Sequence, residues 1–520
     1  MTVGICVDIS IEIPTHKSAV FLHGDYMDNH SKSLNLNESV KMIGLDFGST
    51  TSSAMVAVAG VGLNSITGRM AFGNPRVLYR SDTVFTPFKG DMIDETRLEE
   101  CLEKWLREGN IKSDALFAGG VIITGLAARQ RNAQAIARLV GERVGEAVIA
   151  TADDPNLESW LSFMGCAATL SRHHRELPII NLDIGGGTTN PAMGKAGQVR
   201  ETGCFFVGAR HFQFIPGSYQ LTHISSYGQK LIDHLSICKK KGDFLEAREI
   251  EAILDFYIAA LEAMVRGDQT FFSTPMGSLH QQTPFNIAPA PGETGITFSG
   301  GVGELIYQFV QGKKLPGTTC YGDLGIDFAL RIVASPILST HMRTLHPENM
   351  GRATVYGLTL HNTEISGSTM FLPSPERLPL KDIPIVARLP IDADVDEVVR
   401  VFSIAGKRPK GACVQIVAPH EENNAQNSLN PSGGETLARI KGLGICLAEG
   451  LKKVSFSLEI PLIILAPDNY GKALGNYATN WRQSRENLIV IDEIPDRNAH
   501  FVNIGRLHRN IVPVSFYGVH

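Results

Sequence analysis

The sequence predicts an α/β protein built from two related lobes, with a further α/β region behind them. Three observations predict it. An apolar strand, an aspartate and a turn of glycine and hydroxyl residues occur together twice, around Asp46 and around Asp183, and matching copies of one supersecondary unit point to duplicated halves. A third glycine turn, at Gly300, Gly301 and Gly303, follows a short apolar run and precedes a helix-like one. Beyond about residue 371, strand-like runs alternate with helix candidates, which adds an α/β region at the C-terminus.

A chain of 520 residues exceeds one ordinary core, so several domains are expected. Boundaries are placed at 1–41 for an N-terminal extension, 42–175 for lobe I, 176–350 for lobe II, 351–375 for a segment returning to lobe I, and 376–520 for the C-terminal region. Charged residues make up 19% and the formal net charge is -5, which leaves no electrostatic footprint for nucleic acid or an anionic membrane. The eight cysteines include no C-x-x-C pair, against zinc and against a disulfide framework. No run approaches the ~18 apolar residues of a membrane span, and residues 1–12 lack the pattern of a secretion signal. A place inside the cell is expected.

Within the extension, Ile5–Ile13 alternates like a strand and His23–Val40 is polar, read as a linker without chemistry. Met42–Leu45 then forms a strand, Asp46, Gly48, Ser49, Thr50 and Thr51 a turn, and Ser53–Ala59 a second strand. Glu95–Leu106 is an amphipathic helix, and Ala118–Thr124 a buried strand ending at Gly125 before a helix over Leu126–Val140. This junction puts Thr124 at the mouth of the inter-lobe cleft, as a catalytic candidate or as a simple helix cap. Glu158 is open in the same way, as a site residue or a solvated glutamate, and His173 and His174 read as part of a solvated loop.

The second copy runs from Pro178 to Asn190, with Asp183, Gly185, Gly186, Gly187, Thr188 and Thr189 in its turn. Adjacent glycines are entropically costly. Close approach of peptide N–H groups to phosphate oxygens explains them, with threonine hydroxyls as further donors and the aspartates around a divalent cation. Val207–Ile215 and Tyr219–Ile224 are expected strands, Arg248–Val265 a core-facing helix, and 270–293 a loop. Ile296–Phe298 is a strand, Ser299–Gly303 a turn, and Glu304–Phe309 the start of a helix whose positive end suits a phosphate. In the C-terminal region, Ile385–Leu389, Val414–Ala418, Phe456–Leu465 and Leu488–Ile491 read as strands, and Gly433–Leu447 and Gly471–Trp481 as helices.

The ordered motifs D-F-G-S-T-T, D-I-G-G-G-T-T and S-G-G-V-G-E are similar to the phosphate-1, phosphate-2 and adenosine elements of the actin, Hsp70 and sugar-kinase superfamily. Within it the chain resembles the ethanolamine ammonia-lyase reactivating factors from about Met42 to Phe516. The resemblance is carried by I-I-T-G at Ile122–Gly125, L-E-S at Leu157–Ser159, Y-G-D-L-G at Tyr321–Gly325, R-A-T-V-Y-G at Arg352–Gly357, I-S-G-S-T at Ile365–Thr369 and D-N-Y-G-K-A-L-G at Asp468–Gly475.

The resemblance implies a two-lobed actin/Hsp70-like (ribonuclease H-like) ATPase core with a C-terminal α/β domain. It implies an ATP-dependent chaperone that releases damaged cobalamin from ethanolamine ammonia-lyase so that intact adenosylcobalamin can bind. ATP with Mg2+ would be the cofactors, ATP/ADP and the lyase the partners, with no nucleic acid and no membrane. The location implied is cytoplasmic, with association with a bacterial microcompartment left open. Asp46, Asp183 and Thr124 would be catalytic, and Asp46 and Asp183 would hold the metal. Gly48, Ser49, Thr50, Thr51, Gly185, Gly186, Gly187, Thr188, Thr189, Gly300, Gly301, Gly303 and Glu304 would hold the nucleotide. Leu126 stands where relatives are expected to carry an acid, which implies slower hydrolysis, and Trp160–Cys166 is bulkier than the family's small-residue loop. A reactivase of diol dehydratase, a small-molecule kinase and a filament former share the core motifs and stay open.

Overall fold

The computed structural model describes residues 34–519 apart from 49, 65–67, 90–91, 113–114, 125–131, 145–147, 153, 288–292, 368, 418–432, 458 and 482–486. The N-terminal residues 1–33, with the strand expected at Ile5–Ile13, lie outside the described residues, as do Gly125, Leu126 and the loop expected at Glu421–Ser432.

Lobe I is a sheet of β1 (Leu34–Phe47), β2 (Thr51–Asn64), β3 (Met70–Arg80), β4 (Leu116–Ile123) and β5 (Val148–Ala152), in the order β3-β2-β1-β4-β5. β1, β2 and β3 form an antiparallel meander, while β4 and β5 run parallel to β1. The alternating apolar residues of β1 and β4, among them Ile43, Leu45, Val121 and Ile123, pack beneath Leu98, Leu102 and Trp105 of helix α1 (Glu95–Glu108). The segment expected as a linker up to Val40 is strand from Leu34 on. Residues 34–40 pair with β2, and β4 joins from Lys41. Of the helix expected at Leu126–Val140, residues 126–131 lie outside the described residues, and helix α2 spans Ala133–Val144.

Lobe II repeats the plan. β6 (Ile179–Ile184), β7 (Thr189–Lys195) and β8 (Gln198–Thr202) form the antiparallel meander, and β9 (Gly295–Ser299) lies parallel to β6 on its other side. Ile180, Leu182 and Ile184 share a core with Ile253, Tyr257, Leu261 and Met264 of helix α3 (Ala247–Arg266). The two sheets give the actin/Hsp70-like, ribonuclease H-like core expected.

Two helices connect the lobes. Helix α4 (Pro155–Cys166) follows β5 and buries Phe163 and Cys166 against lobe II residues Ile179 and Ala192, so the Trp160–Cys166 run is helix and not a loop. Helix α5 (Ala353–Leu360) packs on lobe I, where a Cβ at Gly44 would meet the Thr359 hydroxyl at 2.3 Å. The two helices touch backbone to backbone. A Cβ at Gly165 would stand 1.9 Å from the Ala353 carbonyl oxygen, and one at Gly357 2.0 Å from that of Leu161.

Three other expectations are corrected. Val207–Ile215 is broken by a 3-10 turn at Ala209–His211 before a strand at Phe212–Phe214. The stretch read as loop over 270–293 holds two short helices, Gln269–Phe272 and Pro275–Leu279, and a strand at Gln281–Thr283. Pro275 opens the second of these helices behind the Thr274 cap, where a missing N–H costs nothing. Helix α6 (Gly300–Val310) begins at once after β9, with no intervening turn.

The C-terminal sheet has seven strands: β10 (Thr363–Ser366), β11 (Leu380–Pro390), β12 (Ala412–Val417), β13 (Leu462–Leu465), β14 (Leu488–Ile491), β15 (Ala499–Ile504) and β16 (Val512–Val519), in the order β10-β16-β15-β11-β12-β13-β14. β11 to β14 are parallel, joined through α7 (Val395–Ala405), α8 (Gly433–Lys453) and α9 (Gly471–Ala478). The expected strand at Phe456–Leu465 is confined to its last four residues. The D-N-Y-G run serves this domain's architecture: Gly471 N–H donates to Asp492 Oδ2 at 2.7 Å, and a Cβ there would stand only 3.0 Å from the Asp492 carboxyl. Next to it, Glu493 accepts the Met70 N–H of β3 at 2.8 Å, and Asp468 pairs with Arg69, which docks the domain on lobe I. Among the described residues no helix is long and apolar enough to cross a membrane.

Candidate functional site

Equivalent strand positions carry the two aspartates. Asp46 is the penultimate residue of β1 and lies opposite Ile122 of parallel β4; Asp183 is the penultimate residue of β6 and lies opposite Ser299 of parallel β9. Each strand then turns through the same hairpin bond. Gly48 N–H donates to the Thr51 carbonyl at 2.9 Å, and Gly185 N–H to the Thr188 carbonyl at 2.9 Å. The sequence echo is therefore a structural one.

The hairpin tips face each other. A Cβ placed on Gly186 would fall 1.9 Å from the Thr50 hydroxyl oxygen of the other lobe. Behind lobe I's tip, the Thr86 hydroxyl donates to the Gly48 carbonyl at 2.7 Å and its N–H to that of Thr50 at 2.9 Å. Behind lobe II's tip, Ala209 and Arg210 N–H groups donate to the carbonyls of Gly185 and Gly186, at 3.2 and 2.6 Å. With these carbonyls engaged, the tips can still offer a ligand N–H and hydroxyl donors, the polarity that suits phosphate oxygens. The hydroxyl of Thr50 is buried with no partner among the described residues. Thr189 donates its hydroxyl to the Val207 carbonyl at 2.7 Å, and Thr188 accepts from Asn190 Nδ2 at 3.3 Å. Thr51 is exposed at the start of β2, and Ser49 lies outside the described residues.

The aspartates share one low-dielectric floor. Burial, together with the charge of Asp183, raises the Asp46 carboxyl to about 7, against the lowering effect of the Thr124 hydroxyl. Burial likewise raises Asp183 to about 6, opposed by its hydrogen bond from Ser299. Asp46 Oδ1 is buried without a partner among the described residues. Thr124 stands beside it: its N–H donates to the Phe47 carbonyl at 3.0 Å, and its hydroxyl would be 3.6 Å from a Cβ at Gly48.

A divalent cation fits this donor set. Among the described residues no group of three His, Cys, Asp or Glu side chains converges, and a cation held by Asp46 and Asp183 would take its remaining ligands from phosphate oxygens and water. It would also relieve two carboxylates that burial holds near neutrality.

A polar relay that sequence reasoning missed holds Asp183. Thr297 donates to Asn181 Oδ1 at 3.0 Å, Asn181 Nδ2 to Ser299 Oγ at 2.8 Å, and Ser299 to Asp183 Oδ1. Asn181, Thr297 and Ser299 are fully buried. They alternate with apolar residues on β6 and β9, and only the parallel pairing of those strands brings them together. Thr86 and Arg210 were missed for the same reason, each reaching a hairpin from outside its motif.

The glycines after β9 divide into two roles. Gly300 has φ +78, and a Cβ there would meet the Ile184 carbonyl oxygen at 2.5 Å, so glycine lets the chain turn from strand to helix against the second hairpin. A Cβ at Gly303 would meet the Phe298 carbonyl carbon at 2.9 Å, which makes this glycine a packing requirement, while Gly301 faces open space. Glu304 lies against Gly351 and lines a cavity of about 360 Å³ with Arg80, Tyr307, Gln308, Asn349 and Arg352.

A family model described as ethanolamine utilisation protein EutA matches residues 38–517. The ethanolamine ammonia-lyase reactivase EutA of Escherichia coli (strain K12) is 26% identical over 488 residues, 91% of this chain and 97% of that protein. Its counterpart from Salmonella typhimurium is 28% identical over 484 residues, with 91% and 97% covered. Among solved structures, an exopolyphosphatase from Cytophaga hutchinsonii aligns at 16% identity and a TM-score of 0.32, over 61% of this chain and 87% of that one. MreB 5 of Spiroplasma citri bound to AMPPNP aligns at 17% and 0.27, over 59% and 100%. Overlap at these scores adds nothing to the strand order already described.

Proposed function

The chain belongs to the EutA family of ethanolamine utilisation proteins, its family match spanning residues 38–517, and from that premise we propose that it is an ATP-dependent reactivating chaperone of adenosylcobalamin-dependent ethanolamine ammonia-lyase. It would release damaged cobalamin and let intact cofactor enter. Two curated relatives carry the reactivase name over nearly their whole length. The observation that carries the nucleotide part is the meeting of two equivalent hairpins, Thr50 against Gly186, over the aspartate pair Asp46 and Asp183.

Phosphates would be held by hairpin N–H groups and the Thr50 hydroxyl, and Mg2+ by Asp46 and Asp183, with Thr124 orienting Asp46. The bound cation would supply charge neutralisation at the phosphates. ATP hydrolysis is part of this reading. Because each lobe contributes one hairpin, a ligand gripped by both favours one lobe angle, and coupling to the lyase requires that this angle bind the lyase differently. The α4–α5 crossing is the natural pivot. Lyase recognition is assigned to the C-terminal domain, and the place of work to the cytoplasm.

The test mixes the protein with ATP, Mg2+, adenosylcobalamin and cyanocobalamin-inactivated ethanolamine ammonia-lyase, and measures recovered activity. Recovery should require ATP and vanish with Asp183→Ala. Recovery without nucleotide, or full recovery by the variant, would overturn the proposal. Running inactivated diol dehydratase alongside identifies the enzyme served.

A further inference from the structure

On the reading of the cleft as a nucleotide site, we propose that Arg210 is the residue that distinguishes a nucleoside triphosphate from a diphosphate, by binding the terminal phosphate with its guanidinium. The root of this side chain is fixed to the second hairpin. Arg210 N–H donates to the Gly186 carbonyl at 2.6 Å, and the segment approaches so closely that a Cβ at Gly208 would stand 2.5 Å from the same oxygen. Its stem runs over the hairpin tip, with Cδ and Cγ 3.0 and 3.2 Å from where a Cβ on Gly186 would be, the place where the Thr50 hydroxyl of the other lobe also arrives.

The head reaches across to lobe I. The guanidinium carbon is 5.9 Å from the centroid of the Phe85 ring, and Phe85 is paired with Thr51 at the exit of the first hairpin. What the head lacks is a hydrogen-bonded anion among the described residues. It is part-buried, it makes no ion pair among the described residues, and its hydrogen bond to Gln213 Oε1 is long at 3.4 Å. Asp323, the carboxylate whose charge it feels, already accepts the Gly325 N–H at 2.9 Å. A guanidinium has five donors in a planar fork matched to phosphate oxygens. Here its stem crosses the junction of the tips, where the Thr50 hydroxyl also lies, and its head extends from there toward Phe85 of lobe I. Gly300, by contrast, packs on Ile184 at the root of the same loop, on the side of the expected nucleoside. The extra phosphoryl group of a triphosphate would therefore meet donors from both lobes at once, Arg210 from one and Thr50 from the other.

The experiment is calorimetric titration of the full chain with MgATP and MgADP, in wild type and in Arg210→Ala, Arg210→Lys and Phe85→Leu. Charge-assisted hydrogen bonds of this kind are worth ~1.5–3 kcal/mol, so Arg210→Ala should weaken ATP by roughly 10- to 150-fold and leave ADP within about twofold. Arg210→Lys should regain part of the loss, since it keeps the charge without the fork, and Phe85→Leu should keep the wild-type preference. An unchanged ATP:ADP ratio in Arg210→Ala, equal weakening of both nucleotides, or the same loss in Phe85→Leu would each overturn the proposal. A wild type that binds neither nucleotide would instead remove the reading of the cleft, and this proposal with it.

Discussion

Replacing Asp46 by Asn should make the empty cleft more stable while destroying its use. The Asp46 carboxyl rises from 3.8 to about 7 on folding. Between those values the unfolded chain holds fewer protons than the folded one, so folding stability falls as pH rises through this window and levels off above it. A rise of about three units corresponds to roughly 4 kcal/mol at about pH 8, more than half of which develops between about pH 5 and pH 8. Asn keeps the shape without the charge, and it removes the repulsion from Asp183. A chain with several cores need not unfold in one step, so the readout is amide exchange of β1 and β6 in nucleotide-free protein. Protection in Asp46→Asn should exceed wild type at about pH 8 by up to roughly 4 kcal/mol, and the gap should shrink at about pH 5. MgADP titration of the same variant should show binding lost. A variant no better protected at high pH, or a gap that widens on acidification, would refute the shared low-dielectric floor.

Other consequences are separately measurable. Binding of Mg-nucleotide at about pH 6.5 should release protons, because the cation favours ionised carboxylates; titrations in buffers of different ionisation enthalpy should give different heats, and identical heats would contradict it. Ser299→Ala removes the donor that lowers Asp183, so Mg-nucleotide affinity should fall near neutral pH and recover toward about pH 8.5; a profile superimposable on wild type would refute the relay. Gly165→Ala forces a methyl onto the Ala353 carbonyl and should cost at least ~1–3 kcal/mol, seen as a lower thermal midpoint and poorer reactivation; an unchanged midpoint would mean the helices are free to separate. Leu437 and Ile445 are exposed two turns apart on α8, and converting both to Glu should weaken lyase capture without touching MgADP binding. Undiminished capture would move lyase recognition off this face.

Much of the site was legible before folding, because hairpins and their ligands are local. D-F-G-S-T-T and D-I-G-G-G-T-T announce strand, turn and strand from neighbours a few residues apart, and the structure returns both with the same Gly-to-Thr hairpin bond. Less legible were elements whose neighbours in space are remote in sequence. The Val207–Ile215 strand fails at Ala209–His211 because Gly208 is pressed onto Gly186, and the polar run before Val40 becomes strand because β2 offers it a partner.

By itself, the amino-acid order determined the duplicated lobes, the aspartate and glycine positions and the family, since these rest on residue identity and short-range periodicity. Tertiary structure alone decided that Thr50 meets Gly186, that the buried chain Thr297–Asn181–Ser299 ends on Asp183, and that Arg210 lies across to Phe85. Those contacts join strands and lobes distant along the chain. Their strength comes from shared burial, a property that no local stretch of sequence possesses until the sheets have paired.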